Sequence, residues 1–303
     1  MLRIKRILWP TDFSRCATQA LSHAVHLAKK HGAELHVMHA TVLMQDDSYR
    51  LPNHEEIHRQ LKDLASRHLS STIRTLQTDD LVIKQANVRG ISTAPAILAY
   101  AKENDIDLIV MGTHGRRGLG HLFLGSVAEE VVRLSVAPVL TIREREEPKP
   151  VTMMKQILVP LDFSNFSQRA LQYAREIAGF YNARLQLLHV IQDFIPPTFY
   201  LAAAASLSRV TPELKLKIKE AMEKLFEETA GPAVTAEYHV IEGYAAHDIV
   251  DFAQENNSDL IVIATHGRTG IEHMLMGSVT EKVVRRAPCP VFTVRAFGKT
   301  LVH

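Results

Sequence analysis

The stretch MGTHGRRGLGHLFLGSVAEEVVR, residues 111–133, follows the apolar run at 106–110 and holds five glycines within fourteen residues. An apolar run that ends in glycines predicts a buried strand followed by a loop. Gly125-Ser126 then begins a predicted helix. Glycines permit close backbone approach, and a helix start offers unpaired N–H groups, so the stretch suits an anion such as phosphate. A tight turn without any ligand accounts for the same glycines, and the rest of the chain must distinguish the two.

The same pattern occurs a second time in the chain. LIVMGTHGRRG at 108–118 returns as LIVIATHGRTG at 260–270, and RILWPTDFS at 6–14 returns as QILVPLDFS at 156–164. The offset stays near ~150 residues over the full length, which indicates duplication of a whole domain rather than a short solenoid repeat. The segment REREEPKPVTMMK at 143–155 is charged and contains prolines, as a linker should. We therefore expect two domains, at residues 1–145 and 153–298.

Each repeat alternates short β-branched runs with longer amphipathic ones. In the first repeat, strands are predicted near 4–9, 34–40, 81–88, 107–112 and 138–142, and helices near 14–31, 54–76, 93–104 and 126–135. In the second, strands are predicted near 155–160, 184–191, 234–241, 259–264 and 290–295. Apolar strands joined by helices indicate a parallel sheet covered on both faces, so each repeat is predicted to be a five-stranded α/β domain. Ligands of such sheets bind beyond the carboxyl ends of the strands, where the strand order reverses.

Composition narrows the class of protein. The chain has 303 residues, of which 46% are apolar and 22% charged, enough for two cores. A net charge of +2 gives no indication of nucleic acid or of an anionic membrane as a partner. The two cysteines, Cys16 and Cys289, lie far apart in the sequence and fit a reducing compartment. With no signal peptide and no membrane-spanning run recognised, we expect a cytoplasmic protein.

A second recurring segment follows the first strand of each repeat, Pro10-Thr11-Asp12-Phe13-Ser14 and Pro160-Leu161-Asp162-Phe163-Ser164. An Asp between a strand and a helix can cap the helix or accept hydrogen bonds from ribose hydroxyls. Ser14 and Ser164 compete for the cap, which would leave the carboxylates for a ligand. On this segment alone, the helix cap is the favoured interpretation of the two aspartates.

The helix after the glycine loop also has a local explanation. Ser126 with Glu129, and Ser278 with Glu281, have the S-x-x-E spacing that predicts a capping box. The loop itself is neither a G-x-G-x-x-G fingerprint nor a G-x-x-x-x-G-K-[ST] phosphate loop, so a P-loop enzyme is unsupported. Arginines at 116, 117 and 268 add positive charge to a ligand site or are solvated loop residues.

Together, the pattern G-x2-G-x9-G-[ST] after a strand and the opening P-T-D-F-S resemble the universal stress protein family, over both repeats and nearly the whole chain. The resemblance implies a doubly wound, Rossmann-like sheet of strand order 3-2-1-4-5. That order places the Asp segment and the glycine loop at the switch point between strands 1 and 4. Because members with this glycine pattern bind ATP, the resemblance implies one adenine nucleotide per repeat, as ATP, ADP or AMP, with Mg²⁺.

The resemblance also assigns residues. Thr11 and Asp12 would face the ribose and adenine, Ala40 would offer backbone groups to adenine, and Gly90 would line the pocket. The remaining positions expected in the first site are Pro10, Met111, Gly112, His114, Gly115, Arg116, Gly125, Ser126 and Val127, the glycines with Ser126 and Val127 wrapping the phosphates. The expected second site comprises Pro160, Leu161, Asp162, Val190, Gly243, Ala264, His266, Gly267, Arg268, Gly277, Ser278 and Val279. Because Leu161 stands for Thr11 and Ala264 for Gly112, the second site is expected to be weaker.

Histidines offer two further candidates. HEEIH at 54–58 matches the H-E-x-x-H zinc motif, but no third ligand is evident and the second repeat reads TPELKLK there. We therefore expect a solvated helix face and no metal at that segment. His39 and His189, on apolar strands, are expected to be hydrogen-bonded core residues, whereas His114 and His266 are the better functional candidates.

The favoured function is a stress-response binding module whose nucleotide state is read by a partner or by its own assembly. No catalytic residue is assigned, and the alternatives are a slow ATPase or adenylyl-transferring enzyme on the same fold, or an empty scaffold. Pro138 and Pro290 begin the last strand of each repeat, which suits edge strands. Since apolar edges need covering, we expect the repeats to pair as an internal pseudo-dimer, with a homodimer plausible.

Overall fold

The computed structural model describes residues 2–42, 54–75, 80–115, 124–147, 154–192, 211–267, 276–295 and 298–302. The chain divides into two compact units. One unit contains Arg3–Thr152 together with Phe297–Leu301 and His303, and the other contains Met153–Ala296 together with Met1–Leu2 and Val302. In the described parts of the chain, no helix is long and apolar enough to cross a membrane.

The first repeat is a five-stranded parallel sheet with helices between its strands. Its strands are β1 (Arg6–Pro10), β2 (Glu34–Val42), β3 (Ile83–Gly90), β4 (Leu108–Gly112) and β5 (Val139–Ile142). Its helices are α1 (Arg15–His31), α2 (His54–Thr75), α3 (Thr93–Glu103) and α4 (Ser126–Leu134). The strand order is β3-β2-β1-β4-β5, and each described pair is parallel. The predicted α/β class and the order 3-2-1-4-5 are confirmed.

The second repeat has the same architecture. Its strands are β6 (Gln156–Pro160), β7 (Arg184–Ile191), β8 (Ala236–Glu242), β9 (Leu260–Ala264) and β10 (Val291–Val294). Its helices are α5 (Asn165–Tyr181), α6 (Pro212–Glu228), α7 (Ala245–Glu255) and α8 (Ser278–Arg286). The order β8-β7-β6-β9-β10 repeats that of the first sheet, with parallel pairs throughout.

The first strand of the first repeat is deeply buried in its sheet. Ile7, Leu8 and Trp9 of β1 are at most 1% exposed. A central parallel strand is covered on both faces, which is why its sequence is continuously apolar rather than alternating. The Trp9 indole N–H donates to the carbonyl of Ala17 at 2.8 Å and so ties β1 to α1. Removing a buried Leu such as Leu8 is expected to destabilise the fold by ~2–5 kcal/mol.

The strand order reverses at the first strand of each repeat, which is β1 in the first repeat and β6 in the second. β1 pairs with β2 on one side and with β4 on the other, and the register matches Ile7 with Leu108 and Pro10 with Met38. Because all three strands are parallel, the chain leaves β1 and β4 at the same edge of the sheet. The Asp segment and the glycine loop therefore meet there, as in other doubly wound sheets.

Candidate functional site

A strained turn follows the first strand of each repeat. Phe13 has a φ of 64° and Phe163 a φ of 60°, a left-handed conformation that is rare for a bulky residue. The left-handed conformation of this phenylalanine raises the free energy of each turn by ~1–2 kcal/mol. Oδ1 of Asp12 accepts the N–H of Ser14 at 3.0 Å, and the second repeat makes the same bond at the same length. The sequence interpretation missed this turn; a D-F-S triplet repeated between strand and helix is the signal that could have shown it.

The serines, not the aspartates, cap the helices that follow. The Ser14 hydroxyl accepts the N–H of Ala17 at 3.2 Å, and the Ser164 hydroxyl accepts the N–H of Ser167 at 3.2 Å. The cap is therefore supplied without either carboxylate. The helix cap that the segment alone favoured for Asp12 and Asp162 is therefore wrong, and each carboxylate accepts the N–H of the serine two residues later instead.

The second glycine of the loop motif makes room for the carboxylate. A Cβ atom on Gly115 would lie 2.6 Å from Oδ2 of Asp12, and one on Gly267 would lie 2.7 Å from Oδ2 of Asp162. Real Cβ atoms do not approach an oxygen so closely, so only glycine leaves the carboxylate in place. The Asp turn and the main chain after β4 are thus in direct contact in both repeats.

The two ends of the glycine loop are joined by a main-chain hydrogen bond. The N–H of Gly125 donates to the carbonyl of Thr113 at 2.8 Å, and Gly277 donates to Thr265 at the same distance. A Cβ on Gly125 would lie 3.1 Å from the Thr113 oxygen. This contact brings the start of α4 to the end of β4. Arg116 and Arg268, both expected at the phosphates, fall outside the described residues.

The predicted capping box is wrong. The N-cap of α4 is Gly125, so Ser126 is the first helical residue, exposed, and no side chain in the described parts of the chain caps the helix. α8 begins in the same way at Gly277. A contact outside the helix explains this difference. The hydrogen bond from Gly125 to Thr113 holds Gly125 at the N-cap position, so Ser126 lies inside the helix and cannot cap it. A helix start without a side-chain cap, with its positive dipole end, suits an anion.

Main-chain groups are left without a strand partner at the end of β2, where the resemblance places adenine. The N–H of Thr11 donates to the carbonyl of Met38 at 2.8 Å, while β2 continues to Val42. Successive strand residues direct their main-chain polar groups to opposite sides, so Ala40 directs its N–H and C=O to the side that β1 has left. Val190 is placed identically, since Leu161 donates to the carbonyl of Leu188 at 2.8 Å. A donor beside an acceptor matches the edge of a purine such as adenine.

Thr11 serves the turn. Its side chain is buried, and its hydroxyl accepts the N–H of Phe13 at 2.9 Å. Leu161 is also buried at the equivalent place. The exchange of Thr11 for Leu161 thus removes a hydrogen bond within the turn. His39 behaves as expected of a hydrogen-bonded histidine, with Nδ1 2.8 Å from the Thr11 carbonyl, and His189 likewise lies 2.7 Å from the carbonyl of Leu161.

The first glycine of the motif is explained by helix packing. A Cβ on Gly112 would lie 2.7 Å from Sγ of Cys16 and 3.1 Å from its main-chain carbon. In the second repeat Phe166 stands for Cys16, its ring 6.1 Å from that of His266, and Ala264 is buried. Neither Gly112 nor Ala264 has a positive φ. Ala264 therefore has an ordinary backbone conformation, and the replacement of Gly112 introduces no left-handed residue.

Cys16 is a buried packing residue. It is 1% exposed, and its thiol donates to the carbonyl of Ile142 at 3.3 Å. Burial raises the pKa of the Cys16 thiol. The thiol is consequently kept protonated, and it acts as a small apolar group beneath the loop.

The third-strand glycines also have packing roles. A Cβ on Gly90 would lie 2.9 Å from Cβ of Ala96. Gly243 has a φ of 152°, and a Cβ there would lie 1.9 Å from Oδ2 of Asp248, which accepts the N–H of Tyr244. Each glycine thus lets the following helix start close to the end of its strand. Their lining of a ligand pocket remains a prediction.

The other expected residues lie at the same edge of each sheet. His114 Nδ1 is 2.8 Å from the hydroxyl of Thr113, and His266 Nδ1 is 2.9 Å from that of Thr265. Pro10 and Met111 are buried at the ends of β1 and β4. The described set that the fold brings to the carboxyl ends of the strands further includes Val127, Pro160, Ser278 and Val279. The side chains of His54 and His58, in the H-E-x-x-H match, lie outside the described residues.

The fold and this geometry define a tandem, doubly wound α/β protein with the same Asp–glycine–helix arrangement at both switch points. The model of the universal stress protein family matches residues 3–143 and 153–295. The chain therefore belongs to the universal stress protein family, as the sequence motifs indicated.

Individual relatives agree with this assignment. Over 143 residues the chain is 34% identical to universal stress protein MJ0531 of Methanocaldococcus jannaschii, covering 47% of this chain and 83% of that protein. It is 26% identical to universal stress protein Slr1230 of Synechocystis, covering 96% of this chain and all of that protein. A crystal structure of a universal stress protein from Archaeoglobus fulgidus has the same fold, with a TM-score of 0.67, 21% identity and 97% of each chain covered.

Proposed function

We propose that each repeat binds one adenine nucleotide, and that the protein is a stress-response binding module rather than an enzyme. The observation that carries the proposal is the meeting of Asp12, Gly115 and the start of α4 at the switch point of the first sheet. The second repeat reproduces the arrangement with nearly the same distances. A tight turn alone would need neither the carboxylate contact nor the helix start left without a side-chain cap.

The phosphates are assigned to the loop and the helix start. The N–H groups of the first turn of α4 and α8 have no side-chain cap among the described residues, and they carry the positive end of the helix dipole. Gly115 and Gly125 permit close approach of the main chain to an anion. Backbone N–H groups and a helix N-terminus are the elements from which phosphate sites are commonly built.

The ribose and the base are assigned to the opposite side of the site. The carboxylate of Asp12 is an acceptor that a ribose hydroxyl can satisfy. The main-chain groups of Ala40 and Val190 offer the donor and acceptor that adenine needs. Asp12 and Asp162 also fit Mg²⁺, because this ion is bound by one or two carboxylates together with substrate phosphates. Bound Mg²⁺ would offset the repulsion between the carboxylate and the phosphates.

The test is titration of the full chain with Mg-ATP, ADP and AMP by calorimetry, after mass spectrometry of any nucleotide that co-purifies. The matched variants are Gly115→Ala and Gly267→Ala, because each adds a methyl group against the Asp carboxylate of one repeat. Each variant should lose one of two binding events, and the double variant should lose both. Gly32→Asn is the control, since Gly32 ends α1 at a φ of 62° where Asn182 ends α5 at 54°.

Three outcomes would count against the proposal. Absence of binding heat for all three nucleotides in the unaltered protein would remove it. Unchanged stoichiometry in the Gly115→Ala and Gly267→Ala proteins would place the nucleotide elsewhere. Release of inorganic phosphate from bound ATP, measured in the same samples, would move the protein to the enzymatic alternative.

A further inference from the structure

A lysine near the C-terminus is held in an acidic notch of the first unit. Residues 298–301 belong to the same compact unit as the first repeat. Nζ of Lys299 lies 2.7 Å from Oδ1 of Asp105, 2.5 Å from Oδ1 of Asp107 and 2.9 Å from the main-chain oxygen of Asp105. An ammonium group carries three protons, and the notch supplies an oxygen for each of them. The Lys299 side chain is only 25% exposed.

The main chain of this C-terminal peptide is bound as well. The N–H of Lys299 donates to the carbonyl of Val136 at 2.6 Å, and the carbonyl of Leu301 accepts the N–H of Arg3 at 3.1 Å. The side chain of Leu301 is 3% exposed. Main-chain bonds on both sides, a buried apolar side chain and a recognised charge are the features of a bound peptide.

One half of the notch is common to both repeats. Oδ2 of Asp107 accepts the N–H groups of Lys5 and Arg6 at 2.7 and 3.0 Å. Asp259 does the same at the start of β6, at 2.8 and 3.1 Å. The aspartate just before β4 or β9 therefore binds the main chain at the start of the neighbouring strand, β1 or β6. In the first repeat its other oxygen, Oδ1, is used for Lys299.

The other half of the notch distinguishes the repeats. Asp105 and Asn257 occupy equivalent positions, both left-handed, with φ of 49° and 51°. Asn and Asp tolerate this conformation better than most residues, so the backbone does not require a carboxylate there. The negative charge of Asp105 forms ion pairs with Arg6 and with Lys299. The notch thus has two carboxylates only in the repeat that binds Lys299, because the second repeat has Asn257 beside Asp259.

We propose that residues 298–301 form a latch that is docked on the first repeat through Lys299 and is released when the charge of Lys299 is removed or screened. Release transfers Leu301 to solvent and frees the main-chain oxygen of Val136. The docked peptide also accepts the N–H of Arg3, which precedes β1. It is independent of the proposed nucleotide sites, because the Asp105–Asp107 notch precedes β4 whereas those sites follow it.

The test uses the full chain with Lys299→Gln and, separately, Asp105→Asn, which installs the residue that the second repeat has at 257. Amide hydrogen exchange of the C-terminal peptide and its digestion by carboxypeptidase report docking. Lys299→Gln should accelerate both by about tenfold, since hydrogen bonds to charged groups are lost. Lys84→Gln is the control: it breaks an ordinary surface ion pair with Glu34, 2.8 Å long, in the same unit, and should leave both rates unchanged.

The double variant makes the test specific. If Asp105 and Lys299 act through each other, Asp105→Asn should add little once Lys299 is already Gln. The proposal is overturned if Lys299→Gln exchanges and digests like the unaltered protein. It is equally overturned if exchange rises by the same factor throughout β1, β2 and β4, because that pattern means loss of overall stability rather than local release.

Discussion

Oδ2 of Asp12 lies 2.6 Å from the position that a Cβ atom on Gly115 would occupy. The two residues are far apart in the chain and are brought together by the pairing of β1 with β4. The carboxylate and the loop main chain form one unit, so a change at either residue displaces the other. Asp162 and Gly267 make the same contact in the second repeat, so each experiment on the first pair can be repeated on the second.

Gly115→Ala is expected to destabilise the first repeat as well as to block its site. The added methyl group must push the Asp12 carboxylate aside, and overpacking of this kind destabilises by ~1–3 kcal/mol. Urea unfolding should therefore show a lower midpoint for Gly115→Ala. Pairing this change with Asp12→Ala should recover most of the loss. If the double variant is as unstable as the two separate changes summed, the contact is not the cause.

Nucleotide should raise the melting temperature. With a Kd of ~10 μM, ~1 mM Mg-ATP gives a ratio near 100 and stabilises the folded state by ~2.7 kcal/mol. A unit of this size should then melt several degrees higher, at ~2–4 °C per kcal/mol. Thermal denaturation followed by circular dichroism with and without Mg-ATP measures the shift. An identical melting curve in both conditions would contradict a site of that affinity.

The two sites should differ little in affinity. Ala264 has an ordinary backbone conformation, and Leu161 replaces a hydroxyl that is occupied within the turn. We expect the second site to be weaker by no more than ~tenfold, or ~1.4 kcal/mol. Calorimetry of Gly115→Ala and Gly267→Ala isolates each site in turn. A silent second site in the Gly115→Ala protein would show that the methyl group of Ala264 matters more than its backbone suggests.

Gly112→Ala should lower the free energy of unfolding, although the second repeat naturally has alanine at the equivalent position 264. In the first repeat the methyl group would meet Sγ of Cys16 at 2.7 Å, whereas Phe166 occupies the equivalent position in the second. We expect a loss of ~1–3 kcal/mol for Gly112→Ala and a smaller loss when Cys16→Ala is already present. A double-mutant cycle by urea denaturation gives the coupling between them. Strict additivity would remove the packing explanation of this glycine.

Stability should fall as the pH drops from about 6.5 to about 4. Burial lowers the pKa of His23 and of His31 to about 4 from an ordinary value of 6.5, and it also lowers the pKa of His26. In that window the unfolded chain binds protons that the folded chain does not, so the free energy of unfolding decreases as protons are added. Urea midpoints measured at several pH values give the slope. The slope should be shallower in a His23→Gln, His31→Gln protein; an equal slope would assign the pH dependence to other groups.

Much of the fold follows from local patterns in the sequence. Apolar runs such as Ile7–Trp9 and the amphipathic spacing of α1 are properties of neighbouring residues, and they predicted the elements and the class of fold. The repetition of the whole pattern predicted two domains. Ser14 was recognisable as a helix cap because capping involves residues only a few positions apart. The Asp and glycine positions of the site were recognisable from the family resemblance.

The capping box shows where local reasoning fails. Ser126 and Glu129 have the correct spacing, yet the N-cap is Gly125 and Ser126 is already the first helical residue. A hydrogen bond to Thr113, on the other side of a loop, determines that boundary. The role of Gly112 is decided in the same manner, by the thiol of Cys16 on a different element.

The sequence by itself determined the two repeats, their strands and helices, and the identity of the residues at the strand ends. The tertiary structure decided which of those residues touch: Asp12 with Gly115, Gly112 with Cys16, and Lys299 with Asp105, 194 positions away. The physical reason is range. Periodicity and most capping depend on residues within a few positions, whereas close approach of a side chain to a distant main chain exists only after the parallel sheet has brought the two segments together.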